Sequence, residues 1–407
     1  MLIEIIIALL FGCVVGTFTG LIPGIHINLI SLLLLSFSIS LLNIFSPIVL
    51  IVFIVSLSIT HTFLDFIPSI FLGAPDEDSI LSVLPGHRLL LNKRGYEAIV
   101  LTLKGSLTSI FIILILTPLF IFLLPKYYPY IQNIIPLILI IASFYLIFNE
   151  EKKLTALIIF LLSGFLGIIS FNINISEPFL PLLTGLFGAS NIIISIKNKI
   201  KIPQQRINKV KINKKPFLKS ITASLIASPL ASFLPGLGSS QSAVIGSEIS
   251  GENESLNEKE FLFLLGMINT IVMGLSFITF YSIKKTRTGA AVAVSELIPE
   301  LTLNHLFIIL ITIIFSGLLS FLIGIKISKI IAKNIHKMNY SKLSLFVLII
   351  LFILVFLFSD FFNLIGGLKG IFLFIISTSL GISCILLRIK RMHLMGCLLI
   401  PTIILLI

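Results

Sequence analysis

Polar and helix-breaking residues gather at two places in an otherwise apolar chain. At the first, Pro23-Gly24-Ile25-His26-Ile27-Asn28 interrupts a hydrophobic run; at the second, Pro235-Gly236-Leu237-Gly238-Ser239-Ser240-Gln241 does the same. Proline removes a helical hydrogen bond, and glycine frees the chain to turn. Backbone groups released inside lipid need protein, water or a ligand as partners. A half-helix that restarts after such a break aims partly positive N–H groups at the gap, which suits a carboxylate. Ser239 and Ser240 can cap that restart and donate to a ligand. Freed carbonyls can coordinate Na⁺, the candidate coupling ion, and His26 has the chemistry of a proton relay or a structural donor. Asn269 and Thr270 stand in the middle of another apolar run, where they serve as helix glue or as ligand contacts.

The elements that position these groups are helices with small residues at every fourth place. Gly12, Gly16, Gly20 and Gly24 form the first series, and Ser224, Ser228, Ser232 and Gly236 the second, each with proline just before the last glycine. Such a stripe lets a neighbouring backbone approach closely. One broken helix in each half of a hydrophobic chain is the sequence mark of a transporter binding site. Between the two copies, Phe66–Glu97 carries Gly73, Pro75, Pro85 and Gly86, and is expected to be a re-entrant hairpin or a membrane-surface segment, with Gly73 and Pro75 near the site. Asp76, Glu77 and Asp78 have the composition of a helix first turn.

Composition sets the class. The 407 residues are 57 % hydrophobic and 11 % charged, with a mean hydropathy of +1.16, whereas a soluble domain is about a quarter charged. Apolar runs long enough to cross a bilayer recur along the chain. No cleavable leader is expected, because the first ten residues hold Glu4 and no Lys or Arg. Cys13, Cys384 and Cys397 are scattered in apolar stretches without metal spacing, and are expected as buried small hydrophobes. The net charge of +12 lies in loops between spans, so it reads as a topology signal and not as a nucleic-acid surface.

Loop charges divide the chain in two. Residues 1–196 form a first transmembrane repeat, 197–216 a basic cytoplasmic linker and 217–407 a second repeat. Lys197–Lys219 holds nine Lys or Arg and no acid, while residues 1–27 hold none. Lys126 stands alone where the second half has Lys326, Lys329, Lys333, Lys337 and Lys342; Lys152 and Lys153 have no basic counterpart near 359–363. Arg388, Lys390 and Arg391 answer a loop at 172–176 that has none. Basic loops that swap sides predict inverted halves, a plasma-membrane protein and an N-terminus outside. Lys284, Lys285 and Arg287 break this pattern, and a cation at an unexpected depth marks Arg287 as part of an anion site. Spans are expected over 45–64, 96–123, 127–148 and 301–325, among others. The expected fold is an all-α polytopic membrane protein, two inverted-topology repeats each with a Pro-Gly-broken helix and a re-entrant segment.

These motifs resemble the TctA family, the large membrane permease of tripartite tricarboxylate transporters. Its Gly-rich helix ending in Leu-Pro-Gly-Leu-Gly is similar to Gly16–Gly24 and, more closely, to Phe233–Gly238. Its first-half signature is similar to Gly73-Ala74-Pro75, then Leu84-Pro85-Gly86-His87, then Lys93–Ala98. Leu84 stands where the family turn has Asp, and the second half lacks the family's Asn-Asn-Ala segment. The resemblance implies a permease working with a small membrane subunit and an extracytoplasmic binding protein.

The function expected is secondary active transport of a small organic anion such as a carboxylate, coupled to Na⁺ or H⁺, with no other cofactor and no nucleic acid. A channel or a non-transporting scaffold is the alternative. An intramembrane enzyme, through Asp65 with Asp78 or Ser239 with His26, lacks a supporting motif, and no phosphate-binding Gly-Lys-Ser/Thr loop points to ATP hydrolysis.

Overall fold

A computed structural model describes the chain except residues 1, 23–41, 74–78, 149, 198–201, 209, 211–213, 235–237, 250–256, 338–339, 361–362 and 407. In chain order its helices are α1 (Leu2–Leu21), α2 (Pro47–Leu64), α3 (Phe66–Leu72), α4 (Val83–Leu91), α5 (Gly95–Gln132), α6 (Ile135–Phe148), α7 (Lys153–Asn172) and α8 (Phe179–Leu183). A π-helical stretch, Thr184–Ala189, joins α8 to α9 (Ser190–Lys197). Then come α10 (Lys214–Phe233), α11 (Ser239–Ile249), α12 (Glu258–Ile283), α13 (Gly289–Leu297), α14 (Leu303–Asn334), α15 (Tyr340–Phe358), α16 (Leu364–Leu386) and α17 (Gly396–Leu406). The described residues contain no strand, and eight of their helices are long and apolar enough to cross a membrane. The protein is an all-α polytopic membrane protein.

Side chains too small to keep backbones apart set the directions of the helices. Gly12 lies against Phe53 and Ser56, Gly16 against Leu57 and Thr60, and Gly20 against His61 and Leu64, so α1 and α2 run parallel. In the second half Phe217 stacks edge-on against Phe263, Ser220 donates to the Glu260 carbonyl and Ser224 meets Met267, so α10 and α12 also run parallel. Gly105 faces Phe263 and Met267, Gly274 faces Ile113, and Ser106 Oγ donates to the Gly266 carbonyl at 3.0 Å; α5 therefore runs alongside α12 in the same direction. Ser320 Oγ donates to Thr60 Oγ1 at 2.8 Å and Gly324 packs by Leu64, which lays α14 along α2. Gly317 at Ile110 and Gly324 at Leu103 make α5 and α14 antiparallel.

The main core, from Ile51 to Leu399, draws on both halves of the sequence. A smaller core joins α7, the π-helical stretch, α16 and α17. Its two ends are tied by polar contacts. At one, the Glu150 carboxylate lies 3.0 Å from His393 Nε2 and 3.8 Å from Lys390 Nζ, and Lys152 donates to the Leu387 carbonyl. At the other, Ser176 Oγ donates to Asp360 at 2.6 Å, Glu177 N–H to the Ser359 carbonyl, and Lys369 to the Ile173 carbonyl. Cys13, Cys384 and Cys397 are all buried, as expected of small hydrophobes.

Several expected boundaries move. The span begun at 47 does not stop at 64: it bends at Asp65 and continues through α3 to Leu72. Phe66, Ile67, Ile70 and Phe71 are each 1 % exposed or less, and burying that face outweighs the hydrogen bond Pro68 removes. Phe66–Leu72 thus belongs to a span, not to a re-entrant stretch. The loop expected near 124–128 lies inside α5, which runs to Gln132 through Pro118, Pro125 and Pro129; membrane helices tolerate such prolines where local adjustments re-satisfy the backbone. Likewise α14 passes 325 and ends at Asn334. The acids 76–78 lie outside the described residues.

Two measurements of thermal stability test this packing. At Gly16 an added Cβ would meet the Leu57 carbonyl and the Thr60 side chain, whereas at Gly188 its nearest neighbours are 3.6 Å away or more. Gly16→Ala is expected to lose about 1–3 kcal/mol, and Gly188→Ala to stay within about 1 kcal/mol of wild type. Burial raises the Glu177 carboxyl from 4.5 to about 7. Its folded form then holds a proton that the unfolded form releases, so this part of the stability is complete below pH 4.5 and lost as pH rises through about 7. Glu177→Gln should flatten the unfolding midpoint across that window.

Candidate functional site

The bend in the α2–α3 span is where polar groups from both halves meet. Pro68 has no N–H to give the Leu64 carbonyl one turn earlier, so the helix loosens at Asp65, whose own N–H still bonds the His61 carbonyl. Asp65 is 3 % exposed. Asn269, from the middle of α12, donates Nδ2–H to Asp65 Oδ2 at 2.8 Å and approaches the Thr62 carbonyl at 3.5 Å. The hydroxyls of Thr62 and Thr270 are 3.3 Å apart. One turn away, His61 Nδ1 lies 3.1 Å from Thr19 Oγ1 of α1, and Thr60 accepts from Ser320 of α14. Gly20 packs on Leu64 and the backbone of Asp65, so α1 reaches this level just before its own Pro23-Gly24.

Of the residues singled out in the sequence, Asn269 and Thr270 are therefore brought together, both within 2 % of full burial. Pro23, Gly24, His26, Asn28, Pro75, Pro235 and Gly236 lie outside the described residues. After the second break, Gly238 accepts from Ser242 N–H, which opens α11, and Ser239 and Ser240 are buried in its first turn. Ser242 Oγ ties that helix to the Ala227 carbonyl of α10. Gln241 is also in this turn, with its side chain outside the described residues. Gly73 ends α3 in the left-handed conformation, φ 67°, and its carbonyl accepts from Asn191 at 2.8 Å beside the His87 ring. That is about two turns beyond Asp65. Arg287 is half-buried in the segment that follows Lys284, next to Thr288, which caps α13 and meets Ser276 at 2.9 Å. Ser276 lies about two turns along α12 from Asn269. The two flanking positions thus approach the polar centre from different directions along its helices.

Asp65, Thr62 and His61 carry the centre, yet only Asp65 drew notice in the sequence, and then as half of an aspartyl pair. The available signal was an acid inside an apolar run three residues before a proline, His61-Thr62-Phe63-Leu64-Asp65-Phe66-Ile67-Pro68. An intramembrane ionisable residue marks function by default. Among the described residues no group of three or more His, Cys, Asp or Glu could hold a metal ion.

A bundle of membrane helices that folds a carboxylate, a carboxamide and two hydroxyls into its own centre has the build of a membrane transport protein. The chain matches the tripartite tricarboxylate transporter TctA family over residues 6–396, and belongs to it. It is also 36 % identical over 352 residues, 84 % of each chain, to an uncharacterized protein of Methanocaldococcus jannaschii. No solved structure matches at a significant level.

Removing the carboxamide separates a satisfied polar group from an idle one. Asn269→Ala takes a hydrogen bond from a buried carboxylate and should cost about 1.5–3 kcal/mol. Thr279 is buried on the same helix with no partner for its hydroxyl among the described residues, so Thr279→Val should be neutral or stabilising. Unfolding midpoints of the two purified variants decide this, and equal losses would argue against the pairing.

Proposed function

We propose that this protein is the permease of a secondary active transporter for a small organic anion, a carboxylate, coupled to Na⁺ or H⁺. The observation that carries the proposal is the Asp65–Asn269 contact inside two spans of a TctA-family chain, at the level where α1 ends. Helix directions support two inverted halves, 1–196 and 217–407, joined by the basic segment 197–216. In each half the small-residue helix runs parallel to the following long span, while α5 and α14, which occupy matching places, run antiparallel. The polar ties support the expected sidedness as well: residues 150–152 meet 387–393, and 173–177 meet 359–369. With the N-terminus outside, the first group of loops is cytoplasmic and the second extracytoplasmic, in the plasma membrane.

Substrate carboxylates are drawn by Lys284, Lys285 and Arg287 and received by the first-turn N–H groups of α11 with Ser239, Ser240 and Gln241, together with Gly24, His26 and Asn28 of the first sequence break. A small membrane subunit and an extracytoplasmic binding protein complete the system, as the tripartite family description supports. No catalytic step belongs to this reading.

Uptake by proteoliposomes tests it. Labelled organic acids, offered under imposed Na⁺ or H⁺ gradients, are expected to accumulate above their external concentration. Replacing Lys284, Lys285 and Arg287 together by Gln should raise KM several-fold with the folded protein retained. Steady current without coupling would make the protein a channel, and no flux with any partner subunit present would leave it a scaffold; either result overturns the proposal.

A further inference from the structure

We infer that the bend at Asp65 is a sodium site, formed by the Asp65 carboxylate, the Thr62 and Leu64 carbonyls and the Thr270 hydroxyl, with Asn269 holding the carboxylate in place. The assignment rests on the transport reading above and gives that reading its coupling ion.

Three observations converge on it. First, the donor set is all oxygen: a carboxylate, two hydroxyls 3.3 Å apart and main-chain carbonyls, the ligands hard cations take. One carboxylate among neutral oxygens matches a single positive charge. Second, the backbone supplies an acceptor that a regular helix would not. The Leu64 carbonyl cannot receive an N–H from Pro68, and unwound carbonyls at a helix break are the usual ion ligands of such transporters. Third, the donors come from different helices. Asp65 and Thr62 belong to the α2–α3 span, Asn269 and Thr270 to α12, and Gly20 brings the end of α1 onto Leu64 and Asp65. An ion held there links the two halves through α2 and α12, so its occupancy biases how these helices are arranged.

The test is thermal unfolding of the full-length protein in detergent, with NaCl titrated against choline chloride at constant ionic strength. A ligand that binds only the folded state raises the midpoint saturably. The wild type should show that rise with sodium and not with choline, and Asp65→Asn should lose it. Thr270→Val should raise the half-saturating sodium concentration by about ten- to a hundred-fold, on the scale of a lost metal-site contact, whereas Thr270→Ser, which keeps the hydroxyl, should track wild type. If Asp65→Asn does not fold, the Thr270 pair decides. The site is overturned if the wild type shows no sodium-specific shift, if folded Asp65→Asn keeps it, or if the Val and Ser variants behave alike. Proton-driven uptake by a protein indifferent to sodium would sink the site and leave transport standing. A sodium shift that follows these residues in a protein moving no anion would sink transport and leave the site standing.

Discussion

Direct backbone contact between helices is the constraint on which this structure depends. Lipid tails are as apolar as leucine, so burial gives helices little reason to associate inside a membrane, and close packing with hydrogen bonds takes its place. Gly12, Gly16 and Gly20 press α1 onto α2 so tightly that a Cβ at each would strike the neighbour. Gly105 and Gly266 do the same between α5 and α12, and Gly185 and Gly381 between the π-helical stretch and α16. Each contact fixes a register. The α1–α2 register matters most, because it ends α1 at the level of Asp65.

Buried hydroxyls then sort into two kinds. Most bond a carbonyl of their own helix, as Ser58 does with Val55, Thr102 with Ile99 and Ser316 with Thr312. Such back-bonding satisfies the group locally and leaves a small, smooth surface for packing. Some also reach another helix, as Ser106 does to Gly266, Ser220 to Glu260 and Ser242 to Ala227, and around Asp65 several such bonds join side chain to side chain: Thr60 with Ser320, Thr62 with Thr270, and Asn269 with Asp65. A polar centre inside a membrane bundle is therefore recognised by side-chain bonds between helices, not by the number of polar residues.

Charges at the bundle ends do different work. Glu97 takes Arg94 at 2.7 Å and Lys259 at 2.9 Å, which joins the starts of α5 and α12, and Arg88 of α4 meets Glu258 of α12. The hydrogen bonds that Arg94 donates to Glu97 hold its guanidinium above the usual range. Acids at the starts of these parallel helices also face favourable dipole ends, and Asn257 with Glu260 closes a capping box on α12. In the smaller core, buried Arg391 donates to the Leu186 and Phe187 carbonyls and to Ser190 Oγ. It thereby caps a π-helical stretch, an irregularity that proteins keep mostly at functional places. Any sliding of the Arg391–His393 segment against the π-helical stretch must break these bonds.

Class, helix content and the two small-residue helices were legible in the sequence, because each rests on local chemistry: apolar length, spacing every fourth residue, and proline followed by glycine. Asn269 and Thr270 were legible too, as polar residues a membrane span must satisfy. What only the tertiary structure decided is who satisfies them. Asp65 reads as the polar end of a span from 45 to 64, since proline three residues on suggests a stop; it becomes the centre because Phe66, Ile67, Ile70 and Phe71 find a core to fill and carry the helix on to Leu72. The pairing of Asp65 with Asn269 joins positions two hundred residues apart in sequence. No periodicity encodes that contact, because it follows from the register that glycine stripes impose on helices from both halves at once.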